Sequence, residues 1–90
     1  MMNKSKLRAM PYAKAYVKHE PNRITLVSYA TEVAAIIGGV LVVRGLYSAT
    51  TRKHIGAFVR EYCGCDYYTA KKCYTDKCGY DIVTGEYVAL

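Results

Sequence analysis

The sequence predicts an α+β fold: a small antiparallel sheet, a three-stranded meander, packed by one main helix, with a C-terminal four-cysteine zinc module. Three observations predict it. Two almost wholly apolar runs flank Gly38-Gly39, a pair suited to a tight hairpin with positive φ. Ile55, Phe58, Val59 and Tyr62 then recur at i, i+3, i+4 and i+7, which makes one apolar helical stripe. Finally, all four cysteines fall between positions 63 and 78. A 90-residue chain builds only a marginal core, and a covalent or metal staple would supplement it.

That length supports a single domain, 1–90, in three stretches. They are a basic N-terminal segment (1–23), a sheet–helix core (24–62), and the zinc module with C-terminal strands (63–90). Ile24 to Tyr29 is rich in β-branched and aromatic residues and follows the turn signal Pro21-Asn22, so it reads as a strand. Glu32 to Ile37 and Val40 to Arg44 are the hairpin runs; because they lack polar alternation, both of their faces should be covered. Tyr29 and Tyr47 are expected at the edge of the core. Ser48 or Thr50 offers a hydroxyl N-cap for the main helix, on which Arg52, Lys53 and Arg60 fall off the apolar stripe and stay wet. Gly64 ends that helix, and Asp66 caps a short second one over Tyr67 to Tyr74. The tail, Tyr80 to Val83 and Glu86 to Leu90 around Thr84-Gly85, reads as a weaker hairpin or a pair of edge strands, and Pro11 to Lys18 offers a further strand.

Charge narrows the function classes. There are 13 Lys+Arg against 7 Asp+Glu, a formal +6 with pI near 9.2. Lys4, Lys6, Arg8, Lys14, Lys18 and Arg23 face only Glu20 in the first stretch, so the basic excess lies mainly there. Such a segment contacts phosphate or an acidic protein patch, or else is a partly frayed, solubilising terminus. The first 23 residues lack the apolar stretch of an export signal, and the longest uncharged apolar run, Val33 to Val43, is too short to span a bilayer as a helix. A cytoplasmic protein without a membrane segment is the expectation, and there clustered thiols are more often metal ligands than disulfides.

The cysteine spacing is Cys63-x-Cys65, seven residues, Cys73, four residues, Cys78. Zn²⁺ takes four tetrahedral ligands that come in close pairs. Cys63 and Cys65 make one knuckle around Gly64, and Cys73 with Cys78 makes a looser second pair. Lys71, Lys72 and Lys77 would offset the charge of a tetrathiolate and lower the thiol pKa values. Structural Zn²⁺ is the favoured reading; two disulfides, an iron–sulfur centre or free thiols are its alternatives. A catalytic metal wants an open position with a general base at hand, whereas four cysteines fill the shell. His54 reads as a surface or capping histidine, Glu61 as a solvated charge and Asp66 as the helix cap. With no Ser/His/Asp arrangement, phosphate-loop glycines or paired carboxylates, no enzyme is expected.

Ten tyrosines beside one phenylalanine and no tryptophan is an unusual bias. A tyrosine carries a large apolar face and a polar tip at low rotamer cost, which suits binding surfaces. Tyr67 and Tyr68, with Lys71 and Lys72 following, are candidate partner-binding residues, as are Lys14 and Lys18 in the basic segment. The bland reading makes the same rings core and rim around the metal.

The runs Leu26 to Val33 and Gly39 to Val43, then Tyr47-Ser-Ala-Thr-Thr-Arg-Lys-His-Ile55 and Phe58, resemble a group of small phage and prophage proteins from Gram-positive bacteria. In that group a Ser-Tyr-x-Thr-x-Val strand pair leads to Tyr-Ser-x-Thr-Thr-x-x-His-Ile at a helix start. The resemblance covers roughly residues 24–60 and implies a three-stranded sheet plus helix. With its cysteine-rich segment, the chain also resembles in type the zinc-binding type II-A anti-CRISPR inhibitors. That likeness implies a phage protein acting in the bacterial host cytoplasm, which binds the RNA-guided type II-A CRISPR effector nuclease and blocks target DNA engagement. DNA-mimicking inhibitors are strongly acidic, so a protein at +6 would instead grip an acidic protein surface or the guide RNA. The alternatives are a small zinc-stapled nucleic-acid-binding phage protein and a self-associating virion component.

Overall fold

A computed structural model describes residues 3–90; residues 1 and 2 of the basic segment lie outside the described residues. The fold is α+β. Its strands are β1 (Asn3–Ser5), β2 (Ala15–Glu20), β3 (Arg23–Ser28), β4 (Thr31–Ile37), β5 (Val40–Val43), β6 (Cys78–Asp81) and β7 (Glu86–Ala89). Its helices, α1 (Ala49–Tyr62) and α2 (Tyr67–Asp76), lie between β5 and β6 in sequence. All seven strands form one antiparallel sheet in sequential order. The expected three-stranded meander is therefore only the middle of the sheet, β3 to β5.

That middle follows from turn chemistry. Gly38 and Gly39 sit at φ +57° and +82°, the left-handed pair that a two-residue hairpin with Ile37 opposite Val40 requires. Pro21-Asn22 turns β2 into β3, pairing Glu20 with Arg23. Val33, Ala34, Ala35 and Ile36 are all buried, so β4 is covered on both faces as its unbroken apolar run implies.

Of the outer strands, β1 was not expected and β2 (Ala15–Glu20) begins and ends later than the expected Pro11 to Lys18. The basic segment is folded: Leu7, Ala13, Ala15 and Val17 are buried in the core. In β2, Ala15 and Val17 point inward while Tyr16 and Lys18 alternate outward, a period-2 pattern carried by small residues and diluted by charge. On the face away from the helices, Lys18 bonds Glu32 at 2.6 Å, and Arg23 reaches both Glu32 (3.2 Å) and Thr25 (3.0 Å). At the other side of the sheet, β6 and β7 make the expected C-terminal hairpin, with Asp81 Oδ1 accepting the Val83 and Thr84 amides across its turn.

The helices are capped as their sequences suggest. Ser48 Oγ accepts the Thr51 amide at 3.1 Å, and Asp66 Oδ1 accepts that of Thr69 at 3.2 Å. On α1, Ile55, Phe58 and Val59 are fully buried, and Tyr62 is half-buried with its ring 5.2 Å from that of Phe58. Truncating Phe58 to alanine would cost about 3–5 kcal/mol. α2 runs two residues beyond its expected end, because Lys77 takes the left-handed conformation (φ +53°) and its amide closes on the Cys73 carbonyl.

Three side chains correct the sequence reading. His54 is 1% exposed, not a surface residue, and bonds Ser28 Oγ through Nδ1 at 2.8 Å. Tyr29 and Tyr47, expected at the core edge, are 55% and 67% exposed. Tyr29 occupies the two-residue β3–β4 turn at φ +58°, which turns its ring outward over His54. The Tyr47 ring lies over Gly45, in the space that a side chain at Gly45 would fill.

Candidate functional site

Four local features bring the thiols into one region. Cys63 is the C-cap of α1, its amide bonded to the Val59 carbonyl at 2.9 Å. Gly64, at φ +65°, turns the chain so that Cys65 lies beside Cys63. Cys73 faces inward from α2, and the left-handed Lys77 returns the chain so that Cys78 begins β6 beside it. Cys63 and Cys73 are both buried in the core cluster, and Cys65 packs against it.

Cys63, Cys65 and Cys73 hold their protons. Burial and the neighbouring Cys65 and Cys73 push Cys63 up to about 12. Burial, Cys78 and Cys65 push Cys73 up to about 12 as well. Burial also raises Cys65, against a bond to Thr69 that lowers it. The nearby lysines, expected to lower these values, do not prevail: Lys72 is engaged with Asp76 at 2.8 Å. All four cysteines are free thiols. Among the described residues, no group of three or more His, Cys, Asp or Glu side chains stands in metal-holding geometry. The donor chemistry fits Zn²⁺, and the arrangement is two thiol pairs rather than a closed tetrahedron.

A second feature was not singled out by the sequence. Between α1 and the loop after β1 runs an open groove of about 880 Å³. Its rim carries Arg8, Arg52, Lys53 and Arg60, and its floor is Met10, Gly56, Ala57 and Tyr67. Arg52, Lys53 and Arg60 are exposed because they lie off the buried stripe of α1. Arg8 reaches the groove because its amide donates to Glu61 Oε1 at 2.8 Å, tying the loop to the helix and occupying the one carboxylate of the lining. Among the described residues none of the four cations takes part in an ion pair. The helix cations were visible as a wet face, but Arg8 joins them only through the fold.

The residues expected to bind a partner do not share one surface. Tyr67 is half-buried and lines the groove; Tyr68 is 73% exposed with its ring edge-on to Tyr67. Lys71 is exposed on α2, while Lys72 is paired with Asp76 and lies 5.3 Å over the Tyr87 ring. Lys14 is exposed before β2, and Lys18 is paired with Glu32 on the sheet face away from the helices.

Two serine–histidine contacts also emerge. Ser28 and His54 are buried at 2% and 1% exposure, which leaves no access for a substrate. Ser5 Oγ meets His19 Nε2 at 2.8 Å and Tyr62 Oη at 3.5 Å, joining β1, β2 and α1. Both contacts tie elements together.

No curated protein and no solved structure matches the chain. A family model does match residues 2–77, a span that holds every groove residue and Cys63, Cys65 and Cys73 but ends just before Cys78. The chain therefore belongs to DUF8033, a family of unknown function.

Proposed function

We propose that this protein acts by binding, not by catalysis, and that it inhibits the type II-A CRISPR effector nuclease with the α1 groove as its gripping face. The observation that carries the reading is the set of four cations around that groove, none of them neutralised by an ion pair. A lining with four cations against the single carboxylate of Glu61, beside an apolar floor, attracts an anionic partner and steers its approach. The effector complex offers such a surface in its guide RNA and in acidic patches of its outer lobes, whereas its nucleic-acid channel is itself positive and repels this chain. The phage-protein resemblance points to that complex as the partner.

A structural Zn²⁺ on Cys63, Cys65, Cys73 and Cys78 belongs to the same reading. It would tie the end of α1 to α2 and β6, supplying the staple that so small a core lacks. The support is the donor set: Gly64 places Cys65 beside Cys63, and Lys77 places Cys78 beside Cys73.

The test is cleavage of target DNA by the effector–guide complex with rising amounts of this protein. Dose-dependent loss of cleavage is expected, relieved by charge reversal at Arg52, Lys53 and Arg60. Undiminished cleavage together with no co-purification of the complex overturns the reading.

A further inference from the structure

The groove has a chemistry more specific than positive charge. Arg52 and Arg60 stand eight residues apart on α1, which at 1.5 Å per residue is about 12 Å along the helix. Arg8 comes from a different element, the loop after β1. Three of the four rim cations are arginines, whose planar fork matches phosphate oxygens two at a time. The floor between them is apolar: Gly56 contributes no side chain, Ala57 only a methyl, and a Cβ at Gly56 would stand 3.6 Å from Tyr67 Cβ. Tyr68, exposed beside it, adds a free aromatic face. A groove of about 880 Å³ is at the upper end of the ~300–1,000 Å³ that binding clefts enclose.

We propose that the groove binds single-stranded nucleic acid, with phosphates on the arginine rim and bases over the Gly56–Ala57–Tyr67 floor. This rests on the reading above that the groove is the binding face, and names its ligand. A cationic track beside aromatic faces is the arrangement that holds single strands irrespective of sequence, since every base has a stacking face. A duplex buries its base faces and leaves the apolar floor without a partner. An acidic peptide satisfies the rim, but carboxylates alone leave the ring and floor uncovered.

Fluorescence anisotropy of labelled oligouridylate with the full chain tests this. With four cations engaged, log affinity should fall against log salt with a slope of about −3. The variant R52E/K53E/R60E should weaken binding at least about tenfold and flatten the slope to about −1. A variant of equal net charge change away from the groove, K4E/R44E/K77E, should bind within about threefold of wild type. Absence of oligouridylate binding by the wild type, or equal loss in both variants, overturns the proposal. Stronger groove-dependent binding of polyglutamate than of oligouridylate overturns it too, by making the occupant an acidic protein segment. The DNA-cleavage assay is a separate readout: inhibition without oligouridylate binding refutes the ligand while leaving the effector reading intact.

Discussion

Ser28 and His54 meet side chain to side chain at 2.8 Å, and this contact joins the end of β3 to the first turns of α1. Thr51 Oγ1 lies 3.1 Å from the same serine oxygen, and the Ser48 cap is bonded to Thr51 in turn. The cap, the helix and the sheet thus share one buried polar chain. Burial holds the imidazole below its usual pKa, so it is neutral in the fold.

A pH dependence follows from that neutral imidazole. The unfolded chain takes up this proton near pH 6.5, and the folded chain only at a lower pH. Stability is therefore full above about 6.5 and declines as pH falls toward the depressed folded value. Urea melts at a series of pH values should show the decline, and His54→Ala should remove that component. The same variant should cost about 2–4 kcal/mol at pH 7, because it leaves a void and takes from the buried Ser28 hydroxyl one of its two partners. A variant as stable as wild type would show that the contact contributes nothing.

If the thiol pairs hold Zn²⁺, purified protein carries one equivalent by elemental analysis. Replacing Cys63 or Cys73 with serine should then lower Tm by at least about 10 °C, and a chelator should lower the wild type similarly. Stoichiometric metal that survives loss of both cysteines would refute these ligands.

Gly79 in β6 is buried, and a methyl group there would stand 2.5 Å from Val40 Cγ1. Val40 is β-branched and stiff, so the strand itself must shift. Gly79→Ala should destabilise by roughly 1–3 kcal/mol in thermal or urea unfolding. Gly39→Ala makes an instructive contrast, because that position has open space and its cost arises only from φ +82°.

The Lys18–Glu32–Arg23 cluster is solvated and should matter little. Its hydrogen bond to Lys18, more than the charges of Lys18 and Arg23, holds the Glu32 carboxyl below its ordinary range. Its contribution is present above about pH 4.5 and is lost as pH falls through the depressed folded value. Glu32→Gln should lower Tm by only roughly 2–4 °C, with the effect shrinking in high salt. A large loss insensitive to salt would show that the cluster is more than a surface network.

Elements whose signals are local were legible in the sequence. The Gly38-Gly39 hairpin, the Ser48 and Asp66 caps and the α1 stripe each declare themselves within a few residues. β1 did not, and of β2 only Ala15 to Lys18 fell within the strand expected over Pro11 to Lys18, because their inward residues are small and interleaved with charge and their burial is conferred by α1 arriving from much later in the chain. His54 was misjudged for the same reason: only the fold brings Ser28 opposite it. The four cysteines were legible as two pairs, whereas the groove needed Arg8 and Arg52 to be brought together across more than forty positions of sequence.

The placing of α1 and α2 between two neighbouring strands has a bearing on the order of assembly. β2 through β5 join by two-residue turns and can zip up from either end without waiting for distant chain. Val40 and Leu41 meet Asp81 and Tyr80 only after everything in between has collapsed into place. The closing hairpin therefore docks last and is held by the shortest stretch of pairing, which makes it the natural point at which the finished molecule first comes undone.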